Sequence, residues 1–134
     1  MGYDTYFHGM LEFTRPLTER ELRLLDDVRD SMGRCDLNVS DDRRGLVYRS
    51  EKTYDMVDQV NRLIEVTRKL IPDFGLKGTL AADTDFEPHL WFLKIAADGT
   101  AYAENATRDQ FLAFRRKIYP NGYKGFGLMD EPSP

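Results

Sequence analysis

Apolar and polar side chains alternate along the first stretch of the chain, from Tyr3 to Phe13. A period of two over this length predicts a β-strand with one buried face. His8 falls on the face opposite to Phe7, so we expect it to point outward, near Tyr6. Gly9, inside the strand, indicates a bulge or a close approach of another backbone segment.

A pattern that repeats every three to four residues follows, and it predicts a helix with a marked start and end. Thr18 and Glu21 have the spacing of a capping box, in which each side chain bonds the other residue's backbone N–H. Gly33 is typical of the left-handed turn that ends a helix. The stripe expected to face the core consists of Leu22, Leu25, Val28 and Met32.

Two short strand candidates, Leu37–Val39 and Leu46–Tyr48, flank a polar turn at residues 41–45. Ser50 is then expected to cap a second helix that runs to about Leu70. Pro72 would end this helix, because a residue that precedes proline is pushed out of helical geometry. The apolar stripe of the second helix would be Tyr54, Val57, Val60, Leu63, Ile64 and Ile71.

The later chain has the pattern of antiparallel sheet. Alternation from Leu76 to Ala82 and an apolar run from His89 to Ile95 predict two strands. Asp98-Gly99 predicts a hairpin in which both turn residues have positive φ. The run at residues 89–95 is apolar on both faces, so either other segments cover both sides or one side is an interface. A homo-oligomer is therefore one open alternative.

A short final helix is predicted from Thr107 to about Ile118, and a tail follows it. The order of elements predicts an α+β fold: an antiparallel sheet with two main helices packed on one face, then a C-terminal short helix and tail. The 134 residues fit a single domain, with an α+β core at residues 1–104 and a basic C-terminal helix and tail at residues 105–134.

Composition and charge narrow the class of protein. Cys35 is the only cysteine, which excludes an internal disulfide and favours a reducing compartment. The first residues lack a secretory pattern and no apolar run approaches the ~20 residues that cross a bilayer, so we expect a cytoplasmic protein without membrane contact. The net charge is −4, but five basic residues and one acid give residues 107–124 a charge of +4, which leaves −8 elsewhere.

The basic segment is the main candidate for partner binding. Its cations alternate with aromatic residues, a mixture that can hold a single-stranded nucleic acid and stack its bases, although an acidic chain opposes this. The same segment can bind an acidic patch on a protein, or only balance the dipole at a helix C-terminus. The candidate partner-binding residues are Arg115, Arg116, Lys117, Tyr119, Lys124 and, on the late sheet, Trp91.

Four potential metal ligands stand at alternate positions, and an extended chain would point them the same way, toward a hard cation. They are Asp83, Asp85, Glu87 and His89. One interpretation is a metal-dependent phosphoester or nucleotide enzyme, and the other is a solvated loop between two strands. The sequence contains no nucleophile elbow, Walker loop, dinucleotide fingerprint or His-Glu-x-x-His motif. We therefore predict no catalytic residue and no cofactor.

Three short motifs resemble those of a protein family. The chain opens with MGYDTYFHG, has SEKTYD at residues 50–55, and has GLKGTL at residues 75–80. With these motifs it resembles small proteins of unknown function from tailed phages and actinobacterial prophage-like regions, across most of residues 1–104. It lacks their tryptophan-rich insertion before the Ser-Glu-Lys motif and adds the basic segment after Glu104.

The resemblance implies no established reaction. It implies a non-enzymatic accessory protein that binds a host or phage macromolecule, for example an anti-CRISPR-like inhibitor of a bacterial defence system. A host or phage protein is the expected partner, and nucleic acid is the alternative. Because a fold class serves many functions, this expectation rests on the resemblance alone.

Overall fold

The computed structural model describes residues 3–33, 35–48, 52–53, 55–84 and 90–121, and it confirms the predicted α+β class. Within these residues, no helix has the length and apolar character of a membrane-spanning segment. The strands are β1 (Tyr3–Gly9), β2 (Leu11–Phe13), β3 (Leu37–Val39), β4 (Gly45–Tyr48), β5 (Lys52–Thr53), β6 (Leu76–Lys77), β7 (Thr79–Thr84), β8 (Leu90–Ile95) and β9 (Ala101–Asn105). The helices are α1 (Glu19–Ser31), α2 (Met56–Arg68) and α3 (Arg108–Ile118).

The antiparallel strands form two sheets, where the sequence indicated one. The order of the five-stranded sheet is β5-β1-β7-β8-β9, and that of the four-stranded sheet is β3-β4-β2-β6. One long ladder joins them. The strand β1 pairs with β7, β2 pairs with β6, and the two pairings have the same register. The segments β1–β2 and β6–β7 therefore pass together, as one bent ribbon, from one sheet into the other.

Glycines occupy the bends of this ribbon. Gly9 has φ +107° and Gly78 has φ +106°, in a region that residues with a Cβ rarely adopt. A Cβ on Gly9 would lie 2.8 Å from the carbonyl oxygen of Thr79, and a Cβ on Gly78 would lie 3.0 Å from that of Met10. The close backbone approach predicted at Gly9 is confirmed, and it divides the strand that was predicted from Tyr3 to Phe13.

The helices lie on both sides of the five-stranded sheet. The predicted inward stripe of α1 is buried in the larger core, together with the apolar face of α2 and with Leu80 and Leu93 of the sheet. Ala81 and Phe92 are their neighbours on the same strands, so they face the opposite way and pack against Phe111 of α3. Two main helices thus cover one face as predicted, and α3 covers the second apolar face of β8.

Other local predictions are also confirmed. Thr18 and Glu21 form the capping box of α1, and Gly33 follows its end with φ +78°. The strands β3 and β4 pair across the turn at residues 41–45, with Leu37 opposite Tyr48. The short-range signals that predicted them, a capping pair and a polar turn between apolar runs, act within a few residues of the chain.

Two local predictions are wrong. The second helix begins at Met56, not near Ser50, because Lys52 and Thr53 form β5 against β1. Ser50 itself lies outside the described residues. In the β8–β9 hairpin only Gly99 has positive φ, and its N–H donates to the carbonyl of Ala96. The connection is therefore a longer loop than the two-residue turn expected at Asp98-Gly99.

Candidate functional site

The predicted basic helix is α3, and its start is well defined. The Thr107 hydroxyl accepts a hydrogen bond from the Gln110 N–H, and the Gln110 side chain accepts one from the Thr107 N–H. This capping box begins the helix directly after β9 and sets which of its faces meets the sheet. Phe111 and Arg115, four residues apart, are buried against the sheet, whereas the next residue, Arg116, is exposed.

The structure therefore divides the predicted basic segment. Arg115 is fully buried, and its guanidinium lies 5.5 Å from the centroid of the Phe111 ring. It is not accessible to a partner while α3 is docked. Arg116 and Lys117 are exposed on the outer face of the helix. Lys124 lies outside the described residues, so its role stays a prediction.

His8 lies beneath α3, and the prediction that it points outward is wrong. Its side chain is only 2% exposed. The ring meets Phe111 and Tyr119 edge-on, with 5.7 Å between centroids in both cases, and its Nδ1 lies 3.4 Å from the Tyr119 hydroxyl. The alternating pattern placed His8 on the correct face of β1, but a helix from the other end of the chain covers that face.

Burial beneath α3 changes the pKa values of two side chains, His8 and Tyr119. Burial, reinforced by the positive charge of Arg115, lowers the pKa of His8 from 6.5 to about 4. Partial burial raises the pKa of the Tyr119 phenol. At neutral pH His8 is therefore uncharged, and its ring can accept a hydrogen bond from the phenol. These contacts hold α3 on the sheet.

Trp91 contributes mainly to packing. Its Nε1–H donates to the hydroxyl of Thr84 at 2.8 Å, and Thr84 is 3.3 Å from the hydroxyl of Thr5 on the neighbouring strand. The indole ring meets Phe7 edge-on at a centroid distance of 5.6 Å. Both the polar atom and the apolar body of this half-buried side chain are thus engaged within the protein.

The structure describes only one of the four predicted metal ligands. Asp85, Glu87 and His89 lie outside the described residues, and Asp83 is 1% exposed in β7. Asp83 faces the same side of the sheet as Ala81, which is the side that α3 covers. Among the described residues, no three His, Cys, Asp or Glu side chains are grouped as metal ligands. The metal site stays a prediction.

The structure adds a feature that the sequence did not indicate, at the β9 edge of the five-stranded sheet. The pairing with β8 makes Ala101, Ala103 and Asn105 direct their main-chain groups away from the sheet. The side chain of Asn61 on α2 binds both outward groups of Ala101, at 2.7 and 3.0 Å. Among the described residues, no main-chain partner pairs with the outward groups of Ala103 and Asn105, and these two exposed residues form the open part of this edge.

Comparison with protein-family models, with curated proteins and with solved structures finds no match to this chain. One signal for the burial of Arg115 was present in the sequence, because Arg115 follows the apolar Phe111 by four residues. No comparable signal marked Asn61, whose partner Ala101 is 40 positions later in the chain.

Proposed function

We propose that this protein is a phage-encoded, non-enzymatic accessory protein that binds a host or phage protein and inhibits a bacterial defence system. The resemblance of its three motifs to small tailed-phage proteins supports the phage setting. The proposed contact surface consists of Arg116 and Lys117 on the outer face of α3, Arg108 at the exposed start of that helix, and the open edge of β9 (Ala103 and Asn105).

The separation of charges on α3 carries this proposal. Arg115 faces the sheet, whereas Arg116 and Lys117 are exposed on the outside of the helix. The exposed charged residues of α3 are three cations, Arg108, Arg116 and Lys117, and one acid, Asp109, so the helix is a local positive surface on a chain whose net charge is −4. Such a surface favours encounter with an acidic patch on a partner and disfavours partners whose surface is positively charged.

The open edge of β9 supports a protein partner in preference to other ligands. Its exposed residues offer main-chain donors and acceptors in the arrangement that an added strand uses. Only Ala106 and Thr107 separate β9 from α3, so Asn105 and Arg108 lie close together. A partner that pairs with the edge would also meet the first turn of the basic helix.

A pull-down from bacterial lysate tests the α3 surface. The wild type is compared with a double variant, Arg116→Glu with Lys117→Glu, and with a control, Arg20→Glu with Arg23→Glu, on the exposed side of α1. Both variants change the charge equally. We expect the α3 variant alone to lose the captured protein. Capture of the same protein by all three would contradict the proposed surface.

A plaque assay tests the inhibitory role. Bacteria that carry one defence system each would express the wild type or the α3 variant and be challenged with a restricted phage. We expect plaquing to be restored by the wild type and not by the variant. If no system is inhibited, and the purified protein instead binds single-stranded nucleic acid with a steep salt dependence, the nucleic-acid alternative replaces this proposal.

A further inference from the structure

The turn between β3 and β4 is held in one conformation by its own side chains. The Ser40 hydroxyl donates to the Asp42 carboxylate at 2.6 Å and accepts from the backbone N–H groups of Arg44 and Gly45, both at 3.2 Å. The bond from Ser40, together with one from the Arg44 N–H to the same carboxylate, lowers the pKa of Asp42. The turn therefore presents Arg43 and Arg44 from a fixed backbone.

Arg43 has an unusual backbone conformation. Its φ is +60°, in the left-handed region that glycine and asparagine adopt far more readily than arginine does. The side chain extends from an exposed position, so core packing does not account for an arginine here. Backbone strain of this kind is a reason to look for a function of the side chain.

Two surface grooves meet at Arg43. One groove, of about 350 Å³, lies between the turn and α1 and is also bordered by Glu19. The other, of about 380 Å³, lies between the turn and residues 12–17 and is also lined by Arg44 and Lys77. We name the second one the arginine groove. Its volume is within the range of sites that hold small molecules.

The cations of the arginine groove are held only by exposed acids. Arg43 pairs with Glu19, and Arg44 pairs with Glu12 at 3.1 Å, and each of these four side chains is at least 35% exposed. Water screens such pairs, so they are weak and exchange readily. Lys77 lies opposite Glu12 in the β2–β6 ladder. Asp42 also lines the groove, so these three cations face three carboxylates. The Asp42 carboxylate is held within the turn by bonds from the Ser40 hydroxyl and the Arg44 N–H.

Arg15 also lines the groove but differs from these cations. Its guanidinium binds both oxygens of Glu21 and both oxygens of Asp73, at 2.7 to 2.9 Å. Arg15 thus has a structural role, joining the start of α1 to the loop after α2. The cations left to recognise a ligand are Arg43, Arg44 and Lys77.

We propose that the arginine groove binds a phosphate group. Arg43 and Arg44 exchange the carboxylates of Glu19 and Glu12 for phosphate oxygens, and Lys77 supplies a third positive charge. Guanidinium groups match phosphate in two-pronged geometry, and a dianion attracts them more strongly than one carboxylate does. If the phosphate is an ester, Pro16 and Leu17, on the wall of the groove, contact its organic part.

Titration followed by two-dimensional NMR of the ¹⁵N-labelled protein tests this site. Inorganic phosphate and adenosine monophosphate are added at constant ionic strength, with chloride as reference. We expect saturable shifts at the amides of Arg43, Arg44 and Lys77 with both probes. Tighter binding of the ester would identify an organic phosphate as the ligand. Shifts no larger than those with chloride would overturn the proposal.

Arg43→Gly is the decisive variant, because glycine fits the left-handed backbone and the turn should remain folded. We expect phosphate affinity to fall about tenfold, as for the loss of one charge-assisted hydrogen-bonding group. The control is Arg20→Gln on α1, which also removes one positive charge but at a residue that does not line the groove. Equal affinity in the two variants would exclude this groove. It contains no residue of α3 or β9, so its occupancy and partner binding are tested separately.

Discussion

Gly9 and Gly33 both have a left-handed backbone, but their surroundings differ. A Cβ on Gly9 would lie 2.8 Å from the Thr79 carbonyl oxygen, whereas no atom of the described residues beyond its chain neighbours lies within 4 Å of a Cβ on Gly33. We expect Gly33→Ala to lower the free energy of unfolding by about 1 kcal/mol, the cost of the backbone conformation alone. Gly9→Ala should cost about 2–4 kcal/mol, because steric overlap is added. Urea unfolding measures both, and equal losses would contradict a role for the ribbon bend.

Glu21 has two partners, and a conservative substitution separates them. Its carboxylate caps α1 and pairs with Arg15, and the bond from Arg15 is the main reason that its pKa is lowered from 4.5 to about 2. A carboxyl with a depressed folded-state pKa stabilises the protein above pH 4.5, and this contribution is lost as the pH falls toward 2. Glu21→Gln keeps the cap but loses the charge. We expect the stability difference between wild type and variant, measured by urea unfolding, to be present at pH 7 and absent at pH 2.

At the scale of single residues, the sequence predicted what depends on near neighbours. An isolated glycine in an alternating strand correctly indicated a close backbone approach at Gly9. The same alternation placed His8 opposite Phe7, but could not tell whether the second face was covered. That depended on α3, whose flanking residue Tyr119 is 111 positions later in the chain. The strain at Arg43 had no sequence signal, because most residue types are found in turns.

Among the elements, β9 depends on α2 for protection of its edge. The side chain of Asn61 binds both outward main-chain groups of Ala101. Asn61→Ala removes these bonds and leaves part-buried groups unsatisfied, so we expect a loss of about 1–3 kcal/mol in urea unfolding. A longer open edge also favours strand pairing between molecules. Sedimentation analysis should therefore detect more self-association in Asn61→Ala than in the wild type.

The predicted elements differ in whether near neighbours or distant residues determine where they begin and end. The boundaries of α1 were predicted because Thr18, Glu21 and Gly33 act within one turn of the helix. The start of α2 was not, because Lys52 and Thr53 pair with β1, and this distant contact overrides the capping preference of Ser50. The division into two sheets was equally inaccessible, since the strand pattern is the same on both sides of the bend.

At the scale of the whole molecule, docking of α3 should make stability depend on pH. The pKa of His8 is about 4 in the folded protein and 6.5 in the unfolded chain, so the unfolded state binds more protons between these values. Stability is therefore complete above pH 6.5 and falls as the pH falls toward 4, by about 1–3 kcal/mol. The pH range lies above that of Glu21, so the two effects can be distinguished.

His8→Phe tests the origin of this dependence. Phenylalanine keeps the aromatic contact with Phe111 but has no proton to bind, so we expect the fall between pH 6.5 and 4 to be largely removed. The measurement is urea unfolding at closely spaced pH values. If the variant retains the full dependence of stability on pH, other groups beneath α3 cause that dependence.

The ribbon formed by β1–β2 and β6–β7 has a consequence for how the molecule opens. Because each of its segments contributes hydrogen bonds to both sheets, neither sheet can separate without disrupting the other. The two sheets should behave as one cooperative unit. Deuterium should therefore replace the amide protons of β4 and β8 through the same global opening, at one shared free energy, and no partly melted form with a single intact sheet should accumulate.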